Sequence, residues 1–276
     1  MEKDWLNNVI LNFFKSNVDI CGYKSTYQSF EEKTKENEAQ TPKDGFNSDL
    51  LYGRVIYVDE YGKTHKSKPI AIKLTPNLQL VKLISFAFIN EANFYTKVIP
   101  ALNSLDKSFS TFFPKFHHSE MTFNAQKDQM LIIFEDLTAR GFRMTDKKSF
   151  VDINHLMLMM RKIGQFHAFS YKAKNTIPDL FYPLANNFLE TNFLVNGQRR
   201  NFIKKIAKRG VQRLQEYTAY EEYINNISIM LENADDICIK TLVGDKKNPL
   251  SVICHGDYFR SNIMFRYENN IPQDLV

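Results

Sequence analysis

The feature that most constrains the fold is a change of hydrophobic period near residue 51. Leu51-Tyr52-Gly53-Arg54-Val55-Ile56-Tyr57-Val58 is rich in β-branched and aromatic residues, which predicts a strand. Asp59 to Lys63 supplies a turn, and Pro69 to Leu74 reads as the returning strand, halted by Thr75-Pro76-Asn77. Residues 80–99 take up helical spacing through Leu83, Phe86, Phe94 and Val98, with Pro100 as the expected stop. Met130 to Phe134 is continuously apolar and predicts a central, buried strand.

The flanking regions differ in character. Residues 3–18 carry a helical period through Trp5, Val9, Leu11, Phe13 and Phe14. The polar stretch from Ser29 to Asp44 reads as a loop, and residues 28–44 are expected to be flexible. In the second half, residues 152–171 predict a helix with Leu156, Met160, Ile163 and His167 on one face. Helical patterns continue from about Phe188 to Leu231. A short apolar strand, Leu250 to Cys254, is expected to lead into His255, and Ile263 to Tyr267 reads as one arm of a hairpin turning at Glu268-Asn269-Asn270. A β-rich part followed by a mainly helical one is an α+β pattern.

Composition excludes several alternatives. A chain of 276 residues with 43% hydrophobic and 24% charged content suits a globular protein of one large domain or two modest ones. A formal charge of +5 is too small over this length to point to nucleic acid. The run Arg199, Arg200, Lys204, Lys205, Lys208 and Arg209 falls at helical spacing and reads as an exposed helix face. Cys21, Cys238 and Cys254 are widely spaced without a CxxC pair, which suits a reducing compartment and argues against zinc. The first residues lack the pattern of a signal peptide, and stretches such as Leu83 to Ile89 are too short to span a bilayer. The expectation is a cytoplasmic protein with neither nucleic-acid nor membrane partners.

The segment His255-Gly256-Asp257-Tyr258-Phe259-Arg260-Ser261-Asn262 carries the clearest chemistry. An Asp followed five positions later by an Asn brings two oxygen-bearing groups near one point. In phosphoryl transfer an Asp engages the acceptor hydroxyl proton, and a nearby amide oxygen helps to hold Mg²⁺. Gly256 permits close backbone approach. Taken alone, an ordinary Asp/Gly-rich turn is the competing reading.

His255-Gly256-Asp257-x4-Asn262-Ile263-Met264-Phe265 resembles the catalytic loop of the choline/aminoglycoside kinase superfamily. It is most similar to the ecdysteroid kinase-like group, whose members carry His-Gly-Asp-x-Trp-x-x-Asn-Ile-Met; Tyr258 and Phe259 occupy the region of that Trp. The resemblance implies Asp257 as catalytic base, Asn262 as metal ligand and His255 as an anchor of the loop. Ile70-Ala71-Ile72-Lys73 is similar to the strand whose lysine contacts the nucleotide phosphates. Phe88 to Tyr95, followed by Ile99-Pro100, resembles the helix that supplies a Glu to that lysine, here Glu91. Considered singly, Lys73 is an edge-strand lysine and Glu91 an exposed helix carboxylate.

Ile133-Phe134-Glu135-Asp136-Leu137 resembles the segment whose backbone meets the adenine edge, which implicates Glu135 and Leu137. Ile163 to Ser170 also fits the group, with His167 as a core or loop-supporting residue. Gly45 to Gly53 stands where these kinases fold a loop over the phosphates, so Asn47 and Ser48 are candidate phosphate contacts. Asp49 is adverse there, because a carboxylate repels phosphate. An ordinary turn is the competing reading.

The implied fold is protein-kinase-like and two-lobed, with a β-rich N-lobe over 1–137 and a mainly helical, incomplete C-lobe over 138–276. The implied activity is ATP-dependent, Mg²⁺-assisted transfer of a phosphoryl group to a hydroxyl of a small organic molecule of steroid-like character. The family pattern places a metal-binding Asp and further helices past the hairpin, beyond Val276, and Asp274 is expected to lie before the strand. A partial kinase and an inactive, nucleotide- or partner-binding pseudokinase are therefore both open. Trp5 is the one Trp and lies outside the expected site, so nothing suggests an aromatic cage for choline.

Overall fold

The computed structural model describes residues 3–16, 25–33, 49–75, 81–123, 129–146, 150–189, 209, 211–212, 221–234, 236–237 and 248–276. The fold is α+β. Helix α1 (Lys3–Ser16) has Asp4 in its first turn, where a carboxylate complements the exposed N–H groups. Val9, Ile10, Phe13 and Phe14 form its buried face; Ile10, rather than Leu11, supplies the innermost aliphatic group.

Strands β1 (Thr26–Glu32), β2 (Asp49–Val58), β3 (Thr64–Lys66), β4 (Ile70–Leu74), β5 (Phe116–Thr122) and β6 (Gln129–Glu135) build an antiparallel sheet. Its order is β1-β2-β4-β6-β5, with β3 paired on β2. Strand β1 corrects the expected flexibility of residues 28–44: residues 28–32 are in the sheet, and 34–44 lie outside the described residues. Gly53 explains how a polar segment gains that place. A Cβ there would collide with Glu31 O and the Phe30 ring, so only glycine lets β1 lie this close to β2.

Both faces of the sheet are covered. Ile70, Ile72, Leu74, Leu131 and Ile133 pack with α1 on one face. On the other, Met130, Ile132 and Phe134 pack with Phe88 of helix α2 (Val81–Asn93). Alternate residues of β6 thus feed opposite cores, which is why the strand reads as an unbroken apolar run. Ile10→Ala is expected to destabilise the protein by about 2–5 kcal/mol, since a fully buried side chain on this helix leaves a cavity. Chemical denaturation with wild-type slope and a lowered midpoint would show it.

Helix α2 does not end at Pro100. A π turn (Phe94–Val98) follows, in which Ile99 N–H bonds to Phe94 O, and helix α3 (Ile99–Leu105) continues from it. Pro100 enters within the first two residues of α3, where its missing N–H is tolerated. The extra residue in the turn also directs Tyr95 into the sheet core, 4.8 Å from Phe134 and stacked on Phe116.

A second sheet, β7-β8-β9, consists of β7 (Phe142–Arg143), β8 (Phe265–Glu268) and β9 (Ile271–Leu275). The β8–β9 hairpin turns through Asn269 and Asn270 at φ 49° and 63°. Two successive left-handed residues match the right-handed twist of the strands, and Asn is among the few side chains that accept them. Asp274 lies within β9 rather than before it, with its carboxylate 3.2 Å from Arg266 and 3.7 Å from Lys162.

Helix α4 (Ile153–Thr176) packs Met159 against Ile263, Phe265 and Leu275. Its buried residues are His155, Met159, Phe166, Ser170 and Ala173, whereas Leu156 and Met160 are exposed. The expected face was therefore out of phase. Apolar residues recur on two sides of this helix, and periodicity sets their spacing without choosing which side is covered. Asp152 caps α4 by accepting from the N–H groups of Asn154 and His155. His155 Nδ1 lies 2.7 Å from Asp152 Oδ1 and Nε2 2.9 Å from the Tyr267 hydroxyl, which ties the start of α4 to β8. That bond from His155, before any other cause, lowers the Asp152 pKa.

Residues 250–254 are irregular and do not form the expected strand. Most of the helical pattern over 188–231 lies outside the described residues, as do Cys21 and Cys238. Met1–Leu184 with Ile253–Val276 make one compact unit, and Ala185–Val252 a second. The second contains helix α6 (Glu221–Glu232), and helix α5 (Pro178–Asn186) spans the boundary. Among the described residues no helix is long and apolar enough to cross a membrane.

Candidate active site

Lys73 and Glu91 meet because of where their elements put them. In β4 the alternation buries Ile70, Ile72 and Leu74 toward α1, so Ala71 and Lys73 face the other side, where α2 lies. Glu91 is one turn after Phe88, the α2 residue packed on that face. Lys73 Nζ lies 2.6 Å from Glu91 Oε2, and both side chains are about 28% exposed. Lys73 Nζ also sits 5.5 Å from the centre of the Phe88 ring. Tyr95 is close enough to feel Glu91: burial first, and that carboxylate second, hold its phenol well above the usual range.

The loop from His255 to Asn262 is held by main-chain and side-chain bonds together. Gly256 has φ 82°, a conformation that disfavours any residue with a Cβ. Asp257 N–H donates to His255 Nδ1 at 3.3 Å, so neutral His255 carries its proton on Nε2. His255 reaches the surface yet is crowded by surrounding protein, and that crowding lowers its pKa. Asp257 and Glu91 act in the opposite sense and Lys73 in the same one. The electrostatics thus link this loop to the Lys73–Glu91 pair.

Asn262 closes the loop. Its Nδ2 donates to Asp257 Oδ2 at 2.8 Å and to Asp257 O at 2.9 Å. With the amide nitrogen committed, Oδ1 is the atom left to face a ligand. Both residues are exposed. Among the described residues no group of three or more His, Cys, Asp or Glu side chains suits a metal ion.

Two supports of this loop are found only in three dimensions. Ser170, buried in α4, accepts from Ile253 N–H at 3.1 Å. It belongs to the same short segment as His167, expected to be a core or loop-supporting residue; His167 is half-buried, with its ring 5.7 Å from that of Phe166. Tyr258 donates to Met159 O at 3.0 Å, and burial pushes its phenol up to about 12. The Ser at the end of a helix-patterned segment was the available signal for the first; nothing in the sequence pointed to the second.

Glu135 ends β6, accepting from Lys115 N–H at 2.9 Å and from Arg140 Nη1 at 2.8 Å. Leu137 is buried and begins a 3₁₀ turn (Leu137–Arg140) capped by Asp136. Asn47 and Ser48 lie outside the described residues. Asp49 is the first residue of β2, paired with Leu74 next to Lys73.

Residues 42–276 match the model of the ecdysteroid kinase-like family, so α1 and β1 precede the matched span. No curated protein and no solved structure matches the chain. With the match covering most of the chain, from before β2 to the end of the β8–β9 hairpin, this protein belongs to the ecdysteroid kinase-like family.

Proposed function

We propose that this protein transfers the γ-phosphoryl group of ATP to a hydroxyl of a small organic acceptor, with a protein-kinase-like division into a nucleotide-binding sheet and a helical part. The observation that carries this reading is the Lys73–Glu91 ion pair at 2.6 Å, whose charges both act on His255 of the loop that holds Asp257. A lysine fixed by a carboxylate presents its ammonium in one place, which suits a phosphate ligand. The family's description supports phosphotransfer to small molecules and a hydroxylated, steroid-like acceptor.

In this reading Lys73 positions the nucleotide phosphates and Glu91 orients Lys73. The Asp257 carboxylate accepts the proton of the acceptor hydroxyl as its oxygen bonds to the γ-phosphorus and the bond to ADP breaks. Asn262, by donating to Asp257 Oδ2, keeps that carboxylate in place. Mg²⁺ prefers oxygen ligands and takes few from protein, completing its shell with phosphate and water. The Asn262 Oδ1 is a hard donor of that kind, and a bound Mg²⁺ would neutralise phosphate charge. The backbone at Glu135 and Leu137 would receive the adenine, and Asn47 and Ser48 the phosphates. A reducing, cytoplasmic setting fits the chain's cysteine usage.

Mg·ATP at about a hundred times its Kd is expected to raise the melting temperature by roughly 5–10 °C. Lys73→Ala and Glu91→Ala are each expected to weaken Mg·ATP binding by about tenfold, with the double variant losing clearly less than the product. A wild-type protein whose melting is unmoved by Mg·ATP would rule the reading out. Binding without transfer to any hydroxylated acceptor would leave a nucleotide-binding protein instead.

A further inference from the structure

Asp257 is held on its two sides by groups of different kinds. After it in the chain, Asn262 Nδ2 donates to its main-chain oxygen at 2.9 Å and to Oδ2 at 2.8 Å. Phe259 N–H donates to the same main-chain oxygen at 2.9 Å, which closes a tight turn around Tyr258. The Tyr258 hydroxyl donates to Met159 O at 3.0 Å, and this pins the turn to α4. These groups keep one ionisation state near neutral pH. An amide does not titrate there, and burial pushes the Tyr258 phenol up to about 12.

On the side before Asp257 the tether is a group that does titrate. Asp257 N–H donates to His255 Nδ1 at 3.3 Å across Gly256, whose φ of 82° bends the main chain back onto the ring. Only an imidazole with a bare Nδ1 accepts that bond. A second proton would occupy Nδ1, and two N–H donors would then face each other. His255 reaches the surface, so solvent can deliver the proton. The groups facing the ring come from three elements. Tyr258 of the same loop lies edge-on at 5.4 Å. Crowding by surrounding protein is the first influence and favours the neutral ring; Asp257 and then Glu91 of α2 favour the cation, and Lys73 of β4 opposes it. The neutral form therefore persists to a lower pH than in a free histidine. Once the cation forms, its attraction to the Asp257 carboxylate competes with the Asn262 bond to Oδ2.

We propose that His255 is a positioning residue for Asp257 that works only when neutral: its bare Nδ1 holds the Asp257 main chain in place, and a proton on that nitrogen releases the Gly256 turn and switches transfer off. This rests on the phosphotransfer reading above and adds a pH dependence to it. Gly256 is the hinge, since a residue without a Cβ is free to leave the left-handed conformation once the bond is gone. The side after Asp257 stays pinned to α4 through Tyr258.

Turnover of γ-labelled Mg·ATP, with ecdysone or water as acceptor, measured from about pH 8 to about pH 5 in wild type, His255→Asn and His255→Leu, tests this. Wild type is expected to lose activity toward acid, by about tenfold per pH unit once below a midpoint that lies under the ordinary histidine value. His255→Leu, without an acceptor, is expected to be about tenfold slower at every pH. His255→Asn places an amide oxygen where Nδ1 was. It is expected to recover most of that loss at neutral pH and to lack the acid limb. A second measurement reads the tether without turnover. In nitrogen-labelled wild type the Asp257 amide proton is expected to move upfield through the same midpoint, as an amide proton does when it loses its acceptor, and to stay still in His255→Asn. An acid limb that His255→Asn shares with wild type, or an Asp257 amide that ignores the histidine titration, overturns the inference alone. Wild type that turns over no Mg·ATP at any pH refutes the phosphotransfer reading, while the amide titration still reports on the tether.

Discussion

Asp257→Ala is expected to lower the proposed phosphoryl transfer from γ-labelled ATP to a hydroxylated small-molecule acceptor by about 10²–10⁴-fold, the usual worth of a positioned general base. Affinity for Mg·ATP should fall far less, because Lys73, Glu91 and the backbone of residues 135–137 are untouched. The loop has a specific reason to survive the change. Asn262 Nδ2 donates to the main-chain oxygen of Asp257 as well as to its carboxylate, and Asp257 N–H still reaches His255 Nδ1. A variant that keeps wild-type turnover would remove Asp257 from the chemistry. One that loses nucleotide binding and turnover in equal measure would assign it a structural role. Labelled-product formation at saturating ATP, paired with titration of Mg·ATP, separates these results.

Phe109→Ala is expected to destabilise the protein by about 3–5 kcal/mol. The ring is fully buried, with Phe169 at 4.7 Å, Phe113 at 5.4 Å and Phe166 stacked at 6.1 Å. Such aromatic contacts add to the transfer free energy of the side chain, and a cavity among rigid rings collapses poorly. The position also matters for the site. Phe109 touches Phe94, three residues after Glu91, and Phe166 of α4, the helix whose Ser170 holds Ile253. A loosened cluster is therefore expected to lower transfer even well below the melting temperature. Phe123→Ala, at a side chain that is 58% exposed, is the matched control and should change stability by less than about 0.5 kcal/mol. Comparable losses in the two variants would show that the aromatic cluster is not the keystone of this packing.

Much of the architecture was legible before folding was considered. The β2 run, the returning β4, the buried β6 and the Asn-Asn hairpin all express short-range rules, a period of two or a turn that demands left-handed residues. The meeting of Lys73 and Glu91 was legible only through resemblance. A lysine on a strand and a glutamate on a helix, 18 residues apart, carry no local sign that their side chains will touch. The Tyr258 support was not legible at all, and that of Ser170 only as a serine at the end of a helix-patterned segment, since each joins α4 to a segment more than 80 residues away.

The His-Gly-Asp-x4-Asn segment illustrates both sides. Sequence alone determined that Gly256 can adopt a left-handed conformation and that oxygen donors at 257 and 262 lie near one another. Only the tertiary structure decided that the Asn262 nitrogen turns onto Asp257 and that His255 lies within electrostatic reach of Lys73 and Glu91. The same division holds for the elements. Sequence determined the identity and spacing of apolar positions along α1, α4 and β6. Tertiary contacts decided that Ile10 rather than Leu11 is innermost, that Met159 rather than Met160 is covered, and that a polar segment with Phe30 beside Gly53 becomes β1. The physical reason is common to all three. Local sterics and periodicity act over a few bonds and set what a segment is able to form, whereas the choice of buried face depends on surfaces brought from distant parts of the chain.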